Sequence, residues 1–187
     1  MEYGTPQKLP NGRYFLKISS ARHQVNGLIL QDPMETKSVS FKVDDPSLFA
    51  KIDAEIIAKA KESKVEWFRK ENLSDEIICA AYQESITDST LDATLLTVKG
   101  EIRALAFDTQ KNPMELQAVE PGTKCDVILE LSGLWFLKKS FGPIWRVIQV
   151  RTRTAPKVHP TKEYLFTEEP ADDEQEADDP ADYLDMD

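Results

Sequence analysis

The chain has 187 residues, 41% of them hydrophobic and 30% charged, with a formal net charge of −10. That length suits one ordinary domain with its own core plus an appendage, so neither a disulfide nor a metal is needed to hold it together. Cys79 and Cys125 stand alone without ligand spacing and are expected as buried reduced thiols. No apolar run approaches the ~20 residues that span a bilayer, and the polar start lacks an apolar signal core, so the expectation is a soluble intracellular protein.

The charge is unevenly spread. Residues 167–187 hold 11 Asp or Glu and no Lys or Arg, leaving 22 acids against 23 Lys or Arg in the rest of the chain. A second asymmetry lies inside that body. Residues 131–162 contain no acid, while Lys138, Lys139, Arg146, Arg151, Arg153, Lys157 and Lys162 supply seven positive charges.

In chain order, residues 13–19 alternate and are rich in Tyr, Phe and Ile, which predicts a strand. Residues 25–31 predict a second, with Gly27 marking a bulge. A third covers 37–43, where Val39, Phe41 and Val43 share one face. The period then changes. Asp44 or Asp45 can cap a helix with Pro46 at its first position, and Leu48, Phe49, Ile52, Ile56, Ala60 and Trp67 follow at helical spacing. Ser74 opens a second helical stretch carrying Ile77, Ile78, Ala81 and Tyr82; Trp67 and Phe68 are expected in the core.

Strands return after residue 83. Residues 95–107 form one strand or a bent pair around Gly100, Pro121-Gly122 is a turn, and 124–137 is a long run. Residues 144–153 alternate again, with Ile144, Arg146, Ile148 and Val150 on one mixed face, and 138–143 join the last two strands as a hairpin loop. The expected fold is mainly β with a helical insertion over about 46–83, occupying residues 1–160. Residues 161–187 are expected as a disordered acidic tail, too charged to fold alone.

Nothing in the sequence calls for catalysis or a cofactor. There is no Gly-rich phosphate loop, paired-histidine motif or Cys-x-x-Cys, His23 and His159 are far apart, and no carboxylate stands in an apolar setting. The informative stretch is 131–146, where Trp135, Phe136, Phe141 and Trp145 are interleaved with Lys138, Lys139 and Arg146. Sequence-tolerant binding of single strands needs cations to track phosphates and exposed rings on which bases stack. Trp135, Phe141 and Trp145 are therefore candidate stacking residues, and Lys138, Lys139, Arg146, Arg151 and Arg153 candidate phosphate contacts. Tyr14 and Lys17 repeat the pairing on the first strand. Adjacent strand residues such as Trp135 and Phe136 face opposite ways, so core packing of one ring is compatible with exposure of the other. The tail ends Tyr183-Leu184-Asp185-Met186-Asp187, a mixture of apolar anchors and acids that suits a docking peptide, with Tyr183 and Leu184 as the anchors. Tethered near a basic groove, such a polyanion competes with nucleic acid at high effective concentration.

Three strands, a helical segment and further strands resemble the five-stranded OB barrel. With the acidic tail they resemble the single-stranded DNA-binding proteins of phage and DNA-virus replication. The segment 127–150 is also similar to uncharacterised proteins of large eukaryotic DNA viruses. The resemblance implies an OB-like Greek-key barrel with its helix between the third and fourth strands. It further implies a role in DNA replication, recombination or repair at the replication site in host cytoplasm or nucleus. The tail would then moderate DNA binding and recruit replication proteins. The rival reading is a protein-interaction or virion-structural module whose tail binds a basic partner. The sequence leaves DNA versus RNA, and monomer versus homodimer, open.

Overall fold

Alternating apolar residues form the strands that dominate the fold, and a computed structural model describes residues 1–19 and 21–153. In order these are β1 (Glu2–Tyr3), β2 (Gln7–Lys8), β3 (Tyr14–Ser19), β4 (Arg22–Leu30) and β5 (Ser38–Lys42). Helices α1 (Ser47–Glu62), α2 (Lys64–Phe68) and α3 (Asp75–Ala81) follow. Next come β6 (Ile86–Thr87), β7 (Thr90–Leu95), β8 (Thr97–Val98), β9 (Glu101–Ile102), β10 (Leu105–Phe107), β11 (Pro113–Met114), β12 (Lys124–Phe136) and β13 (Phe141–Thr152).

Five strands close a ring. β4 pairs with β5, β5 with β7, β7 with β13, β13 with β12, and β12 again with β4; only the β7–β13 pairing is parallel. Closure removes the open edges that a flat sheet would expose, and the ring is mainly β with a helical insertion, an OB-like barrel. β3 and β4 pair in turn along β12, β3 with Gly133–Phe136 and β4 with Lys124–Glu130. They therefore share one position beside β12, which corrects the expected placement of the helices. Counted around the ring, α1–α3 fall between its second and third strands.

Helix α1 buries Phe49, Ile52, Ile56 and Ala60 at the spacing of one helical face. It begins at Ser47, one residue after Pro46, and the Asp45 carboxylate accepts the Ser47 N–H at 3.0 Å. Ser74 caps α3 by accepting from the Ile77 N–H at 3.3 Å. α3 turns Ile78 inward, which carries Cys79 to the exposed side; only Cys125 is the buried thiol expected. Burial, reinforced by neighbouring Asp126, pushes the Cys125 thiol up to about 12. Beyond β7, a tight β8–β9 hairpin turns through Lys99 and Gly100, both at positive φ.

Two irregularities decide which side chains reach solvent. Leu131 pairs with Trp145 but Gly133 pairs with Ile144, so Ser132 is an extra residue in β12. A slip of one residue reverses every side chain beyond it: Val127, Leu129 and Leu131 are buried before the bulge, Leu134 and Phe136 after it. Ile148 is a second extra residue, in β13, between the Val147 and Gln149 pairings. Val150 consequently points inward at 1% exposure and leaves the mixed face that its spacing shares with Ile144 and Arg146. Gly27 does mark a bulge, at φ 76°, where Asn26 and Gly27 stand opposite Asp126 alone.

Candidate nucleic-acid interface

The bulge at Ser132 turns Trp135 to the outer face of the sheet. Its direct cross-strand neighbours are Phe15 on β3 and Gly142 on β13; one step along, Gly133 pairs with Lys17. Phe15 and Trp135 are both half-buried and Lys17 is exposed. The glycines let the two rings lie close to the strands. A Cβ on Gly133 would stand 2.5 Å from the Phe15 ring, and one on Gly142 would stand 3.0 Å from Trp135 Cζ2.

Along the same sheet the cations outnumber the carboxylates they meet. Glu130 sits between Arg22 at 3.2 Å and Arg146 at 3.6 Å. Asp126 accepts from Arg151 Nη2 and Arg153 Nε, each at 2.6 Å, and from the Gly27 N–H at 3.1 Å. Burial by itself would raise the Asp126 pKa, but the two guanidinium hydrogen bonds and the Gly27 amide outweigh it and hold the carboxyl below its ordinary range. Each carboxylate thus neutralises one of its two arginines, and the side chains of Arg151 and Arg153 stay 47% and 43% exposed.

Two of the expected stacking residues are not at this surface. Phe141 is 1% exposed and Trp145 2% exposed, so neither offers a ring face to a base. Phe141 packs among Phe68, Tyr82 and Phe136. Trp145 packs edge-on against Phe49, and its Nε1–H donates to Ser85 Oγ at 2.9 Å. Trp135 is the sole expected stacking ring of β12–β13 on the outer face. Tyr14 points the other way, toward the helices, with the Arg69 guanidinium 5.9 Å over its ring. Lys138 and Lys139 are exposed at the β12–β13 turn, which Leu137 N–H closes by donating to the Ser140 carbonyl. Tyr183 and Leu184, with the rest of the acidic tail, lie outside the described residues.

Phe15 was not singled out from the sequence. Strand parity carried the signal: residues two apart share a face, so Lys17 belongs with Phe15 and not with Tyr14. The Asp53 site also went unread. This carboxylate is buried in a polar setting and accepts from Tyr82 Oη at 2.7 Å, Ser85 N at 2.9 Å and Ser85 Oγ at 2.6 Å. Its bonds are spent on its neighbours, which makes it a structural anchor between α1 and the barrel. Among the described residues, no group of three or more His, Cys, Asp or Glu could hold a metal ion, and no helix is long and apolar enough to cross a membrane.

The chain belongs to a family of unknown function, DUF5871, whose model matches residues 26–168. No curated protein matches it in sequence. Among solved structures it is similar to the single-stranded DNA-binding protein from bacteriophage Enc34, at TM-score 0.48 and 12% identity, over 89% of this chain and 97% of that one. The same phage protein in complex with single-stranded DNA gives TM-score 0.46 at 12% identity, covering 80% and 94%. A C-terminally truncated form gives 0.46 at 11%, covering 82% and 95%.

Proposed function

We propose that this protein binds single-stranded DNA without sequence preference through the outer face of β3, β12 and β13. Support comes from the chain's own surface, not from the distant likenesses. One observation carries it: a half-buried Phe15–Trp135 cross-strand pair, beside Lys17, on a face where Glu130 and Asp126 are each shared by two arginines. Bases stack on Trp135 and Phe15, a contact worth about 1–3 kcal/mol per base whatever the base. Lys17, Arg146, Arg151 and Arg153 track the phosphates, and Lys138 and Lys139 extend the cationic path at the hairpin turn. The finer role is in replication, recombination or repair of the phage or viral kind, inside the host cell. There the acidic tail competes for the cationic face and recruits replication proteins through Tyr183 and Leu184.

Fluorescence anisotropy of labelled oligo-dT and of a labelled duplex tests this, with full-length protein and a version ending at Phe166. Oligo-dT should bind tightly, more tightly after truncation, and the duplex weakly. Trp67 and Trp145 are buried at 5% and 2% exposure, so Trp135 alone among the three tryptophans can report a stacked base. Oligo-dT should quench its emission, and Trp135→Ala should cost about 1–3 kcal/mol of affinity. No binding by either version at low salt would sink the proposal.

A further inference from the structure

The other side of the hairpin end is a different surface. Between α2, α3 and the β12–β13 turn runs a groove of about 570 Å3. Its walls are apolar: Phe68, Leu73, Phe136 and Phe141 line it, and Ile77 and Leu137 stand at it with 55% and 53% of their surface exposed. Large side chains left this open beside an apolar hollow mark an interaction site more often than a bare surface. Four cations, Arg69, Lys70, Lys138 and Lys139, line the same groove, against one acid, Glu66.

Its rings are poorly placed for bases. Phe68 makes edge contacts with both Phe136 and Phe141, Phe136 and Phe141 are nearly buried, and the Tyr14 face is covered by Arg69. A nucleic-acid strand would bring phosphates for the cations but nothing aliphatic for Ile77 and Leu137. A ligand that satisfies both has carboxylates spaced around one or two large apolar side chains.

We propose that this groove docks an acidic, amphipathic peptide segment of a partner protein. Its apolar anchors lie against Ile77, Leu137 and Phe68, and its carboxylates meet Arg69, Lys70, Lys138 and Lys139. The docking surface lies on the opposite side of β3 and β12 from Phe15 and Trp135 and shares with the proposed nucleic-acid path only Lys138 and Lys139, so Ile77 and Lys70 test it separately.

The test uses the full chain and a fluorescein-labelled 12-residue peptide of Asp and Glu carrying one Phe and one Leu four positions apart. Anisotropy should show saturable binding. Replacing the peptide's Phe and Leu with Ser should weaken it at least tenfold. Ile77→Asp, at a position exposed enough to leave the fold intact, and Lys70→Glu should do the same. Oligo-dT affinity of Ile77→Asp should stay within about twofold of the parent. The proposal is overturned if the peptide shows no saturable binding, or if the Ser peptide binds equally well, which would mean charge alone. It is also overturned if Ile77→Asp weakens oligo-dT as much as the peptide, because the groove would then belong to the nucleic-acid path.

Discussion

Gly133 and Gly142 show how single residues shape the outer face. A methyl group on Gly133 would collide with the Leu16 carbonyl oxygen as well as the Phe15 ring. The ring can swing away, but the carbonyl belongs to a strand paired with β12 and cannot. A methyl on Gly142 would meet the Gln83 carbonyl and Trp135 Cζ2, each at 3.0 Å, which small shifts relieve. Gly133→Ala should therefore cost about 1–3 kcal/mol, in the range for overpacking, and Gly142→Ala clearly less. Urea titrations read this directly as a lower midpoint at unchanged slope. Equal costs at the two positions would mean that β3 yields as easily as the Trp135 side chain.

At the scale of elements, the bond between the helical insertion and the barrel is polar as well as apolar. Asp53 on α1 holds Tyr82 and Ser85, and Ser85 in turn accepts from Trp145 on β13. Asp53→Ala leaves buried neutral donors without an acceptor, at about 1–3 kcal/mol for each one left unsatisfied, and should cost about 3–5 kcal/mol in all. Tyr82→Phe leaves both Ser85 bonds in place and should cost about 1–2 kcal/mol. In the double variant the two losses should not add, because both break the same contact; chemical denaturation of the four proteins closes that cycle. Burial first, then the bond to Asp53, pushes the Tyr82 phenol above its ordinary value, so it remains a donor to Asp53 into the alkaline range. The sequence announced the helices, since Phe49, Ile52, Ile56 and Ala60 repeat at one face, and it announced the Gly27 bulge. It could not announce this network, whose partners lie 29 and 32 residues from Asp53. Nor could it announce the bulges at Ser132 and Ile148. Neither residue is a glycine or proline; each is extra only by its pairing with the opposite strand. That is why Val150 leaves the face its spacing shares with Ile144 and Arg146. Trp145 and Phe141 are candidates only because they are interleaved with cations, a pattern that does not say which way a ring points; both are buried.

Over the whole molecule, the opposed charges of body and tail make Asp126 a sensitive position. Its carboxylate is held by two arginines and the Gly27 amide, and its pKa lies below the ordinary value. A carboxyl whose folded pKa is depressed contributes its stability above the unfolded value, about 3.9. That contribution is lost as pH falls through the lower folded value. Near neutral pH Asp126 is thus fully ionised, and the only way to remove its charge is by substitution. Asp126→Asn keeps the shape but weakens both arginine bonds, each from a side chain more than 40% exposed. The stability loss should be modest, about 1–2 kcal/mol once solvent screening of those partners is allowed for. On the proposed interface the same change frees a cation, so oligo-dT affinity should rise while the denaturation midpoint falls. The slope of log affinity against log salt should steepen by about 0.7 if one more phosphate is engaged. Measured in the version ending at Phe166, the comparison is free of the tail's 11 carboxylates between residues 167 and 187. Affinity and stability moving in opposite directions would place Arg151 and Arg153 on the strand's path. If stability falls and affinity does not change, those arginines serve the Gly27 bulge alone, and the path is confined to Lys17, Trp135 and Arg146.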